Sequence, residues 1–325
     1  MLARLLDLLV CPQCQGRLVL AEEVREGRDE VESGRLRCPD GHAYPVVGGI
    51  PRLLPSGSDS SVDRVRESFS REWTNHKLGM RTWYLDLDTR VRGTFVEALE
   101  IPAEELATKR VLDAGCGNGS QSVAFTEFAA EVVALDLSTG LALGHAFRDR
   151  WSRGRREAVH FVQGDVARPP LPPGSVDVVY SFGVLHHTPD TRTSFQALVP
   201  LLRPGGTFYV WVYRYEPFWT PLIRLLRAVT TRVPVALFDR LTRVLAWPFI
   251  AFTMAATATG IRTYPRIDRR EATLALMDIF AAPYAHHHSP AEVRAWFAEA
   301  GFSDVRECNH ARRGFAVVGR LASRD

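Results

Sequence analysis

Apolar runs and amphipathic stretches alternate along the middle of this chain. KRVLDAG ends a buried strand at Val111–Leu112, and EVVALDLS (131–138) reads as a second strand. HFVQGD (160–165), SVDVVYSFGV (175–184) and TFYVWVY (207–213) supply three more, the last entered through a Pro-Gly-Gly turn. Helical stretches separate them, so the sheet between residues 110 and 213 is predicted to be largely parallel. Farther on, SPAEVRAWFAEAGF places Val293, Trp296, Phe297 and Ala300 on one helical face. Ser289 is its N-cap, and Glu292 closes a capping box. SDVREC and GFAVVGRL then form a strand pair that adds an antiparallel strand.

Before this region the pattern is different. RLVL, RLRC and AYPVV are short strands in a segment with few large apolar side chains. The opening MLARLLDLLV is too short and too acidic for a signal peptide and reads as a short amphipathic helix. PSGSDSSVD (55–63) is small and polar, a linker between two units. The segment after it carries Phe69, Trp73, Trp83 and Tyr84, aromatics that either close over a ligand or pack a helix on the main domain.

Residues 214–285 break the alternation with a long insertion rich in Leu, Phe, Trp and Arg. Val244–Ile261 holds no charge, but Pro248 interrupts it and small and hydroxyl residues end it. The insertion is therefore read as a helical cap over an apolar acceptor pocket and not as a transmembrane span. An interfacial helix pair, with arginines toward lipid headgroups, is the alternative.

Composition changes this picture little. The 325 residues carry 40 basic and 37 acidic side chains, a net +3 that does not point to nucleic acid. Five cysteines, an odd number, suit a reducing cytoplasm better than a disulfide framework. Four polar residues of the first segment form a pattern: Cys11-x2-Cys14, a gap of 23 residues, then Cys38-x3-His42. Three thiolates and an imidazole match the tetrahedral preference of Zn²⁺, and a segment of about 55 residues with so small a core gains from a metal staple. A closed set of four ligands makes that zinc structural. The stretch resembles the zinc-ribbon activator protein of tRNA and protein methyltransferases over about residues 5–55, down to YPVVGGIPRLL.

The chemistry of the larger unit centres on LDAGCGNGS. Gly115, Gly117 and Gly119 turn strand into helix where a ligand approaches the backbone, and Asp113 before them suits a positively charged ligand better than a pyrophosphate. Asp136 ends the second strand, where an acid accepts from ribose hydroxyls; Asp165 follows the third; the fourth leads into Ser181 and His186–His187. This order, with the G-D after strand three and R-P-G-G-T, resembles class I S-adenosylmethionine-dependent methyltransferases over about residues 109–213 and 289–321.

The resemblance implies an α/β, Rossmann-like seven-stranded sheet, with an N-terminal zinc ribbon (1–55), a linker and lid-like helical segment (56–108) and a methyltransferase domain (109–325) bearing the cap insertion. It implies that the three glycines lie against the methionine part of the cofactor and that Asp113 helps hold its ammonium. Asp136 would take the ribose, Asp165 the adenine amino group, and Ser181 would belong to the same set. Transfer from a sulfonium asks the protein to position the acceptor and exclude water, with a base only where the acceptor must lose a proton. His187, with His186 beside it, is the candidate base. Of His286–His288, one histidine should face substrate, His288 by expectation. The expected acceptor is a small or lipophilic metabolite. The rival is RNA, because a ribbon before this fold also resembles bacterial large-subunit rRNA guanine methyltransferases. A third reading makes the domain a cofactor-binding scaffold without turnover.

Overall fold

The computed structural model describes all residues except 26–29, 56, 58–59, 76–86, 261–265, 309–312 and 324–325. Trp83 and Tyr84 lie outside the described residues. The chain opens with a 3₁₀ turn (Ala3–Leu8) and four antiparallel strands, β1 (Val19–Arg25), β2 (Val31–Arg37), β3 (Ala43–Val47) and β4 (Ile50–Leu53). Helix α1 (Ser60–Asn75), α2 (Leu87–Val91) with a π-helical continuation (Arg92–Glu97) and α3 (Ala103–Leu106) lead to the main sheet.

That sheet contains β5 (Arg110–Ala114), β6 (Glu131–Asp136), β7 (Val159–Gly164), β8 (Val176–Phe182), β9 (Leu202–Tyr213), β10 (Phe302–Cys308) and β11 (Gly314–Leu321). Helices α4 (Ser120–Phe125), α5 (Leu141–Trp151) and α6 (Thr191–Leu198) connect its parallel strands. The order is β7-β6-β5-β8-β9-β11-β10, with β11 antiparallel to both neighbours. These are the seven strands expected. The chain reverses its direction of travel across the sheet at β5, and a crevice opens beyond the strand ends there.

Alternate residues of each strand serve opposite faces. Leu112, Val133, Val162 and Val210 join one core; Val111, Val132, Phe161 and Tyr209 join the other. Both faces are covered, which is why the strands read as nearly continuous apolar runs.

The ribbon does not stand apart, despite the polar run after it. β4 pairs in parallel with β7, Arg52 opposite Gln163 and Leu53 opposite Gly164, extending the sheet to eleven strands. Leu5, Leu9, Leu36 and Leu53 belong to the same buried cluster as Leu112 and Val162. Glu30 forms ion pairs with Arg148 and Arg156, tying the ribbon to α5 and the turn that follows it. The physical reason is edge satisfaction: β7 would otherwise end the sheet with an unpaired edge.

The insertion folds as α7 (Trp219–Thr230), α8 (Val235–Ala258) and α9 (Arg269–Phe280), followed by α10 (Pro290–Glu299). The predicted capping box of α10 is present, Ser289 accepting from Glu292 N and Glu292 from Ser289 N. Helix α8 is long and apolar enough to cross a membrane by length and composition. It packs Val235, Phe238, Thr242 and Ala246 inward, mainly against α9.

Candidate active site

Beyond the strand ends lies a cleft of about 1010 Å³, counted with its open mouth. Its floor is built from loops after successive strands: Gly115 and Cys116 after β5, Asp136–Ser138 after β6, Asp165 and Val166 after β7, and Gly183 and Val184 after β8. Helix α1 roofs it with Phe69, Glu72 and Trp73, and α9 contributes Asp278.

The glycine loop is conformationally demanding. Gly115 has φ +94°, and a Cβ there would collide with the Val184 side chain. Gly119 has φ +73° at the start of α4, and a Cβ would run into the Phe161 ring. Gly115 thus lines the cleft, whereas Gly119 permits close packing of helix on strand and Gly117 sits under the Trp73 indole.

Asp136 is buried and lines the cleft. Its two oxygens accept from Gly117 N at 2.8 Å and Ser138 N at 2.7 Å, leaving lone pairs for a ligand. Burial raises its pKa despite these bonds. Asp165 also faces the cleft, its Oδ1 accepting from Ala167 N at 2.9 Å, and burial raises its pKa too.

Two expected cofactor contacts are turned elsewhere. Asp113 lies beneath the loop, where its Oδ2 accepts from Ser122 Oγ at 2.6 Å, and it does not line the cleft. Ser181 is inside β8, donating to Ala114 O at 2.9 Å and binding strand to strand. Both residues hold the floor in shape: a polar group fully inside a parallel sheet must find its partner there.

The histidines divide by direction. His187 lines the cleft, its Nδ1 donating to Tyr284 O at 2.8 Å. In the neutral ring the lone pair is thereby left on Nε2, which has no hydrogen-bond partner among the described residues and lies 3.5 Å from Asp278 Oδ1. Asp278 is itself buried and accepts a hydrogen bond from the Tyr213 hydroxyl. Glu72 is buried on the α1 side of the cleft with Oε2 unpartnered among the described residues, and burial, then the nearby Asp278, pushes its pKa well above the usual carboxylate range. Phe69 meets the His187 ring edge-on at 5.0 Å.

His186 does not face the acceptor. It points into the core, its ring 4.0 Å from the Tyr213 ring, and burial holds its pKa well below the ordinary value. His288, the expected substrate-facing member of its triplet, is bonded at both ring nitrogens within the protein. Its Nδ1 donates to Glu292 at 2.9 Å, its Nε2 accepts from Thr191 Oγ1 at 3.0 Å, and it is not among the cleft residues. The backbone there is extended, bridged to Arg214, so alternate side chains diverge. His287 faces a second, apolar pocket between β9 and the cap helices, where burial lowers its pKa to about 4.

Glu72 and Asp278 were not anticipated. The available signal was a lone acid inside an apolar helix, as in ALMDIF, since buried acids are rare without a task.

In the ribbon the donor atoms of Cys11, Cys14, Cys38 and His42 all fall within 4.8 Å of one another. Cys14 Sγ is 3.6 Å from Cys38 Sγ, and His42 Nδ1 is 3.3 Å from Cys38 Sγ. A tetrahedron with bonds of about 2.3 Å has edges near 3.8 Å, so this donor set fits Zn²⁺. All five cysteines are free.

Two families match the chain. The methyltransferase domain matches residues 112–210, and the Trm112p-like protein family matches residues 3–49. Among curated relatives, the ubiquinone biosynthesis O-methyltransferase of Cupriavidus pinatubonensis is 37% identical over 108 residues, 32% of this chain and 41% of that protein. The malonyl-[acyl-carrier protein] O-methyltransferase of Enterobacter lignolyticus is 38% identical over 106 residues, 33% of this chain and 39% of that protein. The chain thus spans less than half the length of either relative. A solved complex of the Haloferax volcanii Trm112 methyltransferase activator with a putative methyltransferase covers 82% of this chain and 99% of its own, at 18% identity and TM-score 0.47. The chain therefore carries a methyltransferase domain of Rossmann-like fold and, ahead of it, a Trm112p-like domain.

Proposed function

We propose that this two-domain chain transfers a methyl group from S-adenosylmethionine to a hydroxyl or other protic group on a small, lipophilic acceptor, with its ribbon held by one structural zinc in a reducing compartment. When bound, S-adenosylmethionine supplies a methyl group already activated on a sulfonium. Asp136 would accept from its ribose hydroxyls and Asp165 from its adenine amino group, and the backbone at Gly115 would let it approach the sheet; all three line the cleft.

The observation that carries the acceptor reading is His187 in the cleft wall, its ring direction fixed by Tyr284 and its Nε2 buried without a hydrogen-bond partner among the described residues. Nε2 takes the acceptor's proton as the methyl group arrives, and Asp278 stabilises the resulting imidazolium. Burial, then Asp278, raises the Glu72 pKa well above the usual carboxylate range, which favours the protonated form that donates a hydrogen bond to a second oxygen of the acceptor. The roof of α1 excludes water, which strengthens each of these interactions.

The cleft walls favour an organic acceptor over RNA: α1 closes it with Phe69 and Trp73, and Arg66 is the one arginine or lysine among its described lining residues, too few for a phosphate track. Incubating the protein with methyl-labelled S-adenosylmethionine and separated cell fractions tests this. Label should enter organic-soluble metabolites; label confined to RNA would replace this reading with the RNA one.

A further inference from the structure

Helices α7 and α8 leave an apolar face uncovered. Phe218, at the N-cap of α7, is 72% exposed; Leu225 and Val229 are each 68% exposed. On α8, Val244 is 70% exposed, Trp247 63% and Met254 64%. Phe218, Leu222, Leu225, Leu226 and Val229 fall at the spacing of a single helical stripe. An uncovered stripe of this size on a folded chain marks an interaction surface.

Two further observations say what covers it. The first is charge. Residues 214–258 hold six arginines against two acids, Glu216 and Asp239. Asp239 is buried and paired with Arg243, whereas Arg224, Arg232, Arg240 and Arg243 are exposed; among the described residues of this segment no acid is exposed. The face is apolar with a cationic fringe. The second is a pocket of about 1050 Å³ between α7, α8, α9 and β9, lined by Trp219, Leu222, Leu226, Phe249, Phe252 and Phe280 among others. Leu222, Leu226 and Phe252 are exposed members of the face and also line this pocket. Its inner wall is Tyr213, whose hydroxyl bonds Asp278 in the catalytic cleft.

We infer that α7 and α8 seat the protein on an anionic lipid bilayer, with the apolar stripe in the interfacial region and the arginines at the headgroups, so that the pocket between the helices opens onto the lipid phase. The helices lie on the membrane and do not cross it. The inward side of α8 carries Asp239, Thr242 and Thr253, which are held by the rest of the protein. Interfacial binding of this kind scales with buried apolar area and with attraction to anionic lipid. It also gives a lipophilic acceptor a route to the cleft that avoids water.

Sedimentation with vesicles tests the inference without any methyl transfer, so its failure leaves the cleft reading standing, and the converse holds. The full chain should sediment with vesicles of phosphatidylcholine containing about one-third phosphatidylglycerol, and less with phosphatidylcholine alone. The double variant Leu225→Glu/Val244→Glu should lower partitioning by about tenfold or more, because charge replaces apolar contact at two exposed sites. Val19→Glu, exposed on β1 of the ribbon, should leave it unchanged. Alkaline carbonate should release the bound protein. Absence of sedimentation, or a double variant that binds as well as the parent, overturns the inference. So does a lipid-free dimer that the double variant dissociates, which would make a second copy the cover, and so does resistance to carbonate, which would make α8 a span.

Discussion

Glu72 and Asp278 both line the cleft on side chains that are 5% and 3% exposed. Their effect on stability has a definite sign. The folded-state pKa of Glu72 is raised by burial, then by Asp278, so the folded protein binds the proton more tightly than the unfolded chain. Its contribution is fully present below the usual carboxylate pKa and is lost as pH rises toward the folded value. Glu72→Gln should therefore flatten the fall of melting temperature from about pH 5 upward, and scanning calorimetry across that range checks it. Glu131 has the opposite sign. Hydrogen bonding from His160, outweighing partial burial and aided by Arg110, lowers its pKa to about 2. Its stabilisation is present above the unfolded value and disappears as pH falls toward 2. In the cofactor half, Asp136→Ala should weaken S-adenosylmethionine binding by about 1.5–3 kcal/mol, the range for a hydrogen bond to a charged group; calorimetry with unchanged affinity would remove Asp136 from the site. The sequence makes the glycine loop, Asp136 and Asp165 readable because each lies at the end of its own strand, where local pattern fixes direction. It does not separate His186 from His187, since adjacent residues in a 3₁₀ turn diverge, and it hides the Glu72–Asp278 pairing because two helices about two hundred residues apart create it.

At the scale of elements, capping and periodicity translated directly into structure for α10, with Ser289, Glu292 and the Val293–Trp296–Phe297 face all in their expected places. Ser289→Ala should destabilise by about 1 kcal/mol, measurable by denaturant titration. The cap insertion was legible as helical and apolar, but not the way α9 reaches back to deliver Asp278 to the cleft. Extended backbone at 286–288 explains the His288 miss: a run of identical residues says nothing about which face each one takes, and only its bridge to Arg214 decides. In the ribbon, Cys11→Ser and Cys38→Ser should release one equivalent of zinc, since a hydroxyl replaces thiolate poorly. Metal analysis of the purified parent and variants is the check, and a parent without zinc would leave the four donors with no ion to hold.

For the whole molecule, the parallel run of β5 to β9 and the antiparallel strand added at the end followed from alternation, and the seven-stranded sheet from the resemblance, whereas the spatial order is set by the crossovers. The docking of the ribbon did not follow, because a polar stretch says that the chain leaves a unit without saying whether the unit is covered. The shared core changes what metal loss should do. Leu5, Leu9 and Leu53 are almost fully buried with main-sheet residues, and burial of each such side chain is worth about 1.5–3 kcal/mol. The zinc-free Cys11→Ser protein should accordingly melt in one transition at lower temperature, with the methyltransferase domain destabilised alongside the ribbon. Two separate transitions, the upper one unmoved, would show that the halves are energetically independent.

The pairing of β4 with β7 also sets a timetable on the ribosome. Arg52 leaves the exit tunnel more than a hundred residues before its partner Gln163. At about 5–20 residues per second, that is an interval on the order of ten seconds in which the ribbon exists without the sheet it will join. Through that interval its apolar underside faces solvent, and the proposed zinc would hold the four short strands in register. Zinc supply at translation, more than zinc supply to the finished protein, would then govern how much of this chain matures, and cells starved of the metal should accumulate nascent chains bound by chaperones while previously made protein persists.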